Sequence, residues 1–250
     1  MTEAAKKDDQ AGPDPTSAEP EAAVEAAGDV VATAGEAVEE AAGEANEGLT
    51  EAAEKIAEDA PPEKKAVLRE MGGIRAIDAS IFLAVNHLPR SDAANDVVEV
   101  VSDLGKGAGW VVAAAVIALS GNRRAGWRNA AVTTATMLAA TALTQGPIKG
   151  YFLRQRPWAV LEEDIVIGKR TTDSSFPSGH TAGSFAAALA MSRCFPRHRP
   201  LMLGLAGAVG FSRVYLGHHY PSDVLGGVAI GTAVALVSGK ISDTVVRKKC

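Results

Sequence analysis

Between residues 74 and 240 the chain returns six times to a long, mostly uncharged apolar run, at about 74–88, 107–121, 129–148, 180–195, 200–217 and 224–240. Runs of this length read as helices, and six of them leave little room for any other element, so the expected fold is all-α. Several approach the roughly 20 residues needed to cross a bilayer, although the first contains Asp78 and Asn86. Small residues dilute them, as in Ala186–Ala190 and Gly226–Ala235. Such residues suit helices that pack closely in lipid. The expectation is therefore a six-helix transmembrane bundle. A soluble bundle with Ala-rich buried helices would have the same composition, and charge placement separates the two.

If all six runs span with the N-terminus inside, fourteen Lys and Arg residues fall on the inner side and eight on the outer. The positive-inside rule favours that orientation. It puts the chain in the cell (inner) membrane as a multi-pass protein with both termini cytoplasmic. Trp110, Trp127 and Trp158 fall near predicted helix ends, where indole rings favour the membrane interface. Cys194 lies at an inner end, so no disulfide with Cys250 is expected in a reducing compartment.

The formal net charge of −5 conceals an asymmetry. Residues 1–62 carry seventeen acidic and three basic residues, whereas residues 63–250 carry thirteen acidic and twenty-two basic ones. The first stretch is rich in Ala, Glu and Gly and has no aromatic residue, so it cannot bury enough apolar surface to offset chain entropy. It is expected to be a disordered acidic tail, helical at most transiently from Glu19 to Asp59, ahead of a membrane-embedded domain at 63–250. No basic start followed by an apolar core is present, so a cleavable secretory signal is not expected.

Three groups of polar residues interrupt the apolar pattern, and the orientation above brings all three to the outer face. Lys149 to Pro157 reads K-x6-R-P, Pro177 to His180 reads P-S-G-H, and Ser212 to Asp223 reads S-R-x5-H-x3-D. Lys149, Arg156 and Arg213 are donors without acceptor capacity, able to hold a dianion and to stabilise charge on a transferring phosphoryl group. Ser178 and Gly179 open an apolar helix, where a hydroxyl and orphan backbone amides can face an anion. His219 and Asp223 are four residues apart, a spacing that puts them on one helical face with the carboxylate steadying the imidazole. That makes His219 the candidate nucleophile. His180 is a second imidazole, able to protonate a leaving oxygen and then activate water. His218, beside His219, has a supporting or a merely structural role; Arg154, Lys169 and Arg170 are phosphate contacts or solvated loop charges.

These eleven fixed positions resemble the three-motif signature of the type 2 phosphatidic acid phosphatase superfamily, which also includes bacterial acid phosphatases and vanadium haloperoxidases. The resemblance covers roughly residues 74–240. It implies a helical core in which His219 forms a phosphohistidine supported by Asp223, with His180 as acid and then base. Phosphate would be bound by Lys149, Arg156, Ser178, Gly179 and Arg213. No convincing metal-ligand spacing is present, so neither a metal nor another cofactor is expected, nor a nucleic-acid partner.

Only nineteen residues separate Pro157 from Pro177, enough for a short interfacial lid. Tyr151, Phe152 and Trp158 beside that lid suit a lipid whose phosphate lies at headgroup level. The compact form resembles bacterial membrane lipid phosphatases, which implies a polyprenyl phosphate or diphosphate, phosphatidate, phosphatidylglycerol phosphate or decaprenylphosphoryl-5-phosphoribose as substrate. A vanadium haloperoxidase-like enzyme using the same cradle for vanadate, or a non-catalytic membrane scaffold, are the alternatives.

Overall fold

The computed structural model describes residues 73–120, 123–161 and 165–245, all within the compact unit Ala53–Cys250; the acidic stretch 1–62 lies outside the described residues. Among these residues every regular element is helical. The longer helices are α1 (Gly73–Asn86), α2 (Asp92–Leu104), α3 (Ala108–Ser120) and α4 (Arg123–Leu143). After α4 come a π turn (Thr144–Ile148) and two short helices, α5 (Lys149–Phe152) and α6 (Pro157–Val160). The chain ends in α7 (Gly179–Ser192), α8 (Arg199–Tyr215) and α9 (Pro221–Val245).

Each of the six apolar runs is helical over most of its length. Helix α2 was not among them, because Asp92, Asp96, Glu99 and Asp103 recur at helical spacing and break the run. Its start carried a legible signal, since Ser91 caps it by accepting the Ala94 amide at 3.2 Å.

Helix α7 is the central element and packs against α9, α4 and α8. Its buried positions include Ala182, Gly183, Ser184, Ala186, Ala187, Ala188 and Ala190, so neighbouring backbones approach closely. A Cβ added at Gly227 of α9 would fall 2.6 Å from the Ser178 carbonyl. The larger side chains point the other way: Val112, Val116, Leu138, Leu201, Leu236 and Val237 are exposed. Small residues inside and large apolar ones outside is the arrangement that lipid, not water, stabilises. Within α9, Pro221–Ser242 is the one helical stretch among the described residues that is long and apolar enough to cross a membrane by itself.

One sequence expectation changes here. Trp110 is buried and donates to Ser184 at 3.1 Å; it is a core residue packed among Ala187, Ala188 and Met191, because small α7 side chains leave room for an indole. The expectation for Cys194 with Cys250 lies outside the described residues, because Cys250 does.

The polar residues of α1 are consumed internally. Asn86 donates to the carbonyls of Ile165 and Tyr215 at 2.9 and 3.0 Å and accepts the Ile165 amide at 2.8 Å. This clamps the end of α1 to the last turn of α8 and to the loop that precedes α7.

Candidate active site

Pro147 has no amide hydrogen to give to the carbonyl of Leu143, and the helix widens into the π turn Thr144–Ile148 at this point. Lys149 follows directly and is buried. Leu153 then takes a left-handed conformation (φ 45°) that ends α5, and Pro157 opens α6 with Arg156 as its N-cap residue. Lysine and arginine therefore approach one place from two short helices.

What they meet there is Asp173. Its Oδ2 accepts from Lys149 Nζ and its Oδ1 from Arg156 Nη2 at 2.9 Å, while Arg156 Nε donates to the Asp173 carbonyl at 3.1 Å. The remaining Arg156 nitrogen, Nη1, donates to the His218 carbonyl at 2.8 Å. Partial burial would raise the Asp173 carboxyl, but the bonds from Lys149 and Thr171 and the Arg156 charge hold it well below the usual carboxylate range. Two cations thus grip one ionised anionic group.

The third motif is assembled by backbone closure. Gly217, at φ 81°, turns the chain after α8. The amides of His218 and His219 then both return to the Arg213 carbonyl, at 3.0 and 3.2 Å. That closure is the local reason for the five-residue spacing between Arg213 and His219. His219 precedes α9, so it does not share a helical face with Asp223 as the four-residue spacing suggested. Instead, Asp223 sits in the first turn and reaches back to accept the Tyr220 amide at 2.8 Å, as the acidic member of a capping box does. This brings its Oδ2 to 3.5 Å from His219 Nδ1. Both side chains are buried. Burial, followed by the charges of Arg156 and Arg213, holds the His219 imidazole well below its ordinary value, so it is neutral at pH 7. A neutral ring with Nδ1–H facing a carboxylate leaves the Nε2 lone pair free.

Ser178 links the second motif to the third, because its amide donates to the Asp223 carbonyl at 2.9 Å. Its hydroxyl oxygen caps α7, accepting from the Thr181 amide at 3.4 Å and the Thr181 hydroxyl at 2.9 Å; its own hydrogen remains for donation. The Gly179 and His180 amides lie in the first turn, ahead of the backbone ladder. His180 lies against Gly105, where an added Cβ would fall 2.9 Å from the His180 Cβ. Arg213 Nη1 donates to Ser102 at 2.7 Å.

Arg213 Nε, His218 Nδ1 and His219 Nδ1 are among the buried polar atoms that make no hydrogen bond within the protein, so each can serve a bound anion or water. Elsewhere on its ring, His218 has Nε2 2.7 Å from the Ile167 carbonyl, and burial with the nearby Arg213 charge takes it down to about 4. The structure therefore brings together Lys149, Arg156, Ser178, Arg213, His219 and Asp223, with His180 at the α2 side. Among the described residues no group of three or more His, Cys, Asp or Glu is placed to hold a metal ion.

Sequence reasoning missed Asp173, Asp78 and Ser175, and left Arg154 open. Arg154 donates to Asp223 at 2.7 Å and to Asp78 at 2.6 Å, and the Ser175 hydroxyl also meets Asp223. The weak signal was a third basic residue inside K-x6-R-P. The fold supplied the partners.

A family model described as the PAP2 superfamily matches residues 130–247. The chain is 36% identical over 132 residues to the decaprenylphosphoryl-5-phosphoribose phosphatase of Mycobacterium tuberculosis, covering 52% of this chain and 69% of that one. It is 47% identical over 66 residues to the lipid A 1-phosphatase of Rhizobium johnstonii, which spans 26% of each chain. The crystal structure of Aquifex aeolicus LpxE superposes with a TM-score of 0.55 at 24% identity, covering 64% of this chain and 93% of that one; this likeness is one of fold.

Proposed function

Because the chain belongs to the PAP2 superfamily, we propose that it is an integral membrane phosphatase that hydrolyses a phosphate monoester or diphosphate on a lipid through a phosphohistidine intermediate. One observation carries the reading: Lys149 and Arg156 close on a single anionic group, Asp173, beside a buried His219–Asp223 pair. A phosphoryl group exchanged for that carboxylate would lie within reach of the imidazole.

In the proposed cycle, Lys149, Arg156 and Arg213 bind the non-bridging oxygens together with the Ser178 hydroxyl and the Gly179 amide. Their charge grows in value as charge spreads onto those oxygens in the transition state. His219 Nε2 attacks phosphorus, and Asp223 accepts the Nδ1 proton in a hydrogen bond, which stabilises the ring as it becomes positive. The bond from phosphorus to the lipid oxygen breaks, and His180, which takes up a proton as the anionic phosphate binds beside it, gives that proton to the oxygen. Neutral His180 then takes a proton from water as the water oxygen attacks phosphorus and the N–P bond breaks. Phosphate leaves and both histidines return to their starting states.

The lipid reading is supported by the outward apolar side chains and by Tyr151, Phe152 and Leu153, all exposed at the same end as the cations. Polyprenyl phosphates or diphosphates, phosphatidate, phosphatidylglycerol phosphate and decaprenylphosphoryl-5-phosphoribose form the substrate set. On this reading six helices span the cell membrane, both termini are cytoplasmic and the site opens outward. Charge bias supports that orientation. Single cysteines at Arg170 and at Arg197, in a background with Cys194 and Cys250 replaced, decide the matter. A membrane-impermeant thiol reagent on intact cells labels only the first if the orientation is right.

Rapid quench with a labelled lipid phosphate tests the chemistry. The wild-type chain accumulates an acid-labile phosphoenzyme, and His219→Ala loses it together with turnover. An undiminished acid-labile adduct in His219→Ala overturns the assignment, and vanadate-dependent halide oxidation without phosphate release would favour a haloperoxidase.

A further inference from the structure

Asp78 is a buried carboxylate in α1, a helix that precedes the family-matched residues. Its Oδ1 accepts the Ser222 amide at 2.9 Å, and its Oδ2 accepts from the Ser222 hydroxyl and from Arg154 Nη2, the latter at 2.6 Å. Arg154 Nη1 in turn donates to the Ser222 hydroxyl at 2.6 Å and to Asp223 Oδ1 at 2.7 Å. Its guanidinium also lies 4.3 Å from the centroid of the Tyr220 ring. The result is an alternating row of charge, Asp78 then Arg154 then Asp223, that ends on the His219 imidazole.

We propose that Asp78 and Arg154 are positioning residues for Asp223, holding its second oxygen toward His219 and keeping it available to a developing imidazolium. The inference rests on the phosphohistidine reading above.

Two physical points support it. First, orientation: Asp223 Oδ2 takes the Tyr220 amide, the Ser175 hydroxyl and the distant His219 Nδ1, while Oδ1 takes Arg154. The arginine fork fixes the rotation of the carboxylate about its own axis, which the one-sided contacts at Oδ2 do not. Second, charge: Arg154 alone would neutralise Asp223. Asp78 shares that arginine, so the row of three carries one net negative charge until His219 becomes positive, and the four groups then sum to zero. In a low-dielectric interior such compensation is large, and an unpaired charge is costly. The arrangement thus favours the phosphorylated, positively charged ring over the free one.

The test uses the purified full chain in detergent, with kcat and KM on a polyprenyl phosphate, the quenched phosphoenzyme and the thermal midpoint as readouts. Asp78→Asn keeps shape and lowers kcat on the order of tenfold, the worth of a charge-assisted hydrogen bond, while KM stays within about twofold. In an Asp223→Asn background, assayed with a good leaving group, Asp78→Asn changes kcat by less than about twofold, because its effect runs through Asp223. Arg154→Lys keeps the charge but not the fork and behaves in the same way in both backgrounds, so it stands in for Asp78→Asn should that protein fail to fold. Unchanged kcat, or equal loss of kcat with and without Asp223, overturns the positioning role while leaving the phosphohistidine intact. A wild-type chain that hydrolyses lipid phosphate without an acid-labile adduct instead removes the phosphohistidine, and this inference with it.

Discussion

Replacing Asp173 with Asn should make the protein bind inorganic phosphate and vanadate more tightly, not less. The Asp173 carboxylate joins Lys149 and Arg156, so an incoming dianion must displace it. Its side chain is 44% exposed, so each pair is weighted as a partly solvated one, at roughly 0.5–1 kcal/mol. Two pairs give about 1–2 kcal/mol, which corresponds to phosphate inhibition about 5- to 30-fold stronger in Asp173→Asn. The loop keeps its anchor, because Arg156 Nε donates to the Asp173 backbone carbonyl at 3.1 Å and that bond survives the substitution. The assay is the inhibition constant of phosphate and of orthovanadate against hydrolysis of a polyprenyl phosphate at fixed ionic strength. Weaker inhibition in Asp173→Asn would refute the reasoning, since it would make the carboxylate a support for the cations and not a competitor for them.

Gly105→Ala places a Cβ 2.9 Å from the His180 Cβ and 2.6 Å from Val209 Cγ1; displacing the imidazole by a fraction of an ångström should lower kcat by about 10- to 100-fold. A variant with wild-type kcat would separate His180 from the chemistry. Because His218 is down to about 4 in the fold against an ordinary 6.5, the unfolded chain binds a proton that the folded chain refuses, and stability falls as pH drops from 6.5 toward 4. His218→Gln should remove up to about 3 kcal/mol of that loss, seen as a flatter dependence of the thermal midpoint on pH over this window. Deleting residues 1–62 should leave folding and specific activity largely intact, since the stretch lacks core-forming residues; a deletion that stays in the membrane but loses turnover would give it a part in the site.

Much of the candidate site was legible in the primary structure as a set of residues that the fold brings together, because local backbone fixes their spacing. The five residues between Arg213 and His219 are those of one backbone closure onto a single carbonyl. Ser178 announces the start of α7 by capping it. The all-helical fold followed from run length alone. Pairing across long separations was not legible. Asp78 and Arg154 stand 76 residues apart, and Asp78 and Ser222 stand 144 apart; nothing in one sequence ties a charge in the first helix to the start of the last. Asp173 carried no signal of its own in the sequence, and only the two short helices around the π turn deliver Lys149 and Arg156 to it. Even the His219–Asp223 pair, suggested by spacing, owes its geometry to a capping turn and not to a helical face. Sequence determined which groups could do the chemistry and roughly where helices run. Tertiary structure decided which charges face one another, because a buried charge is tolerated only where the fold brings its counter-charge to it.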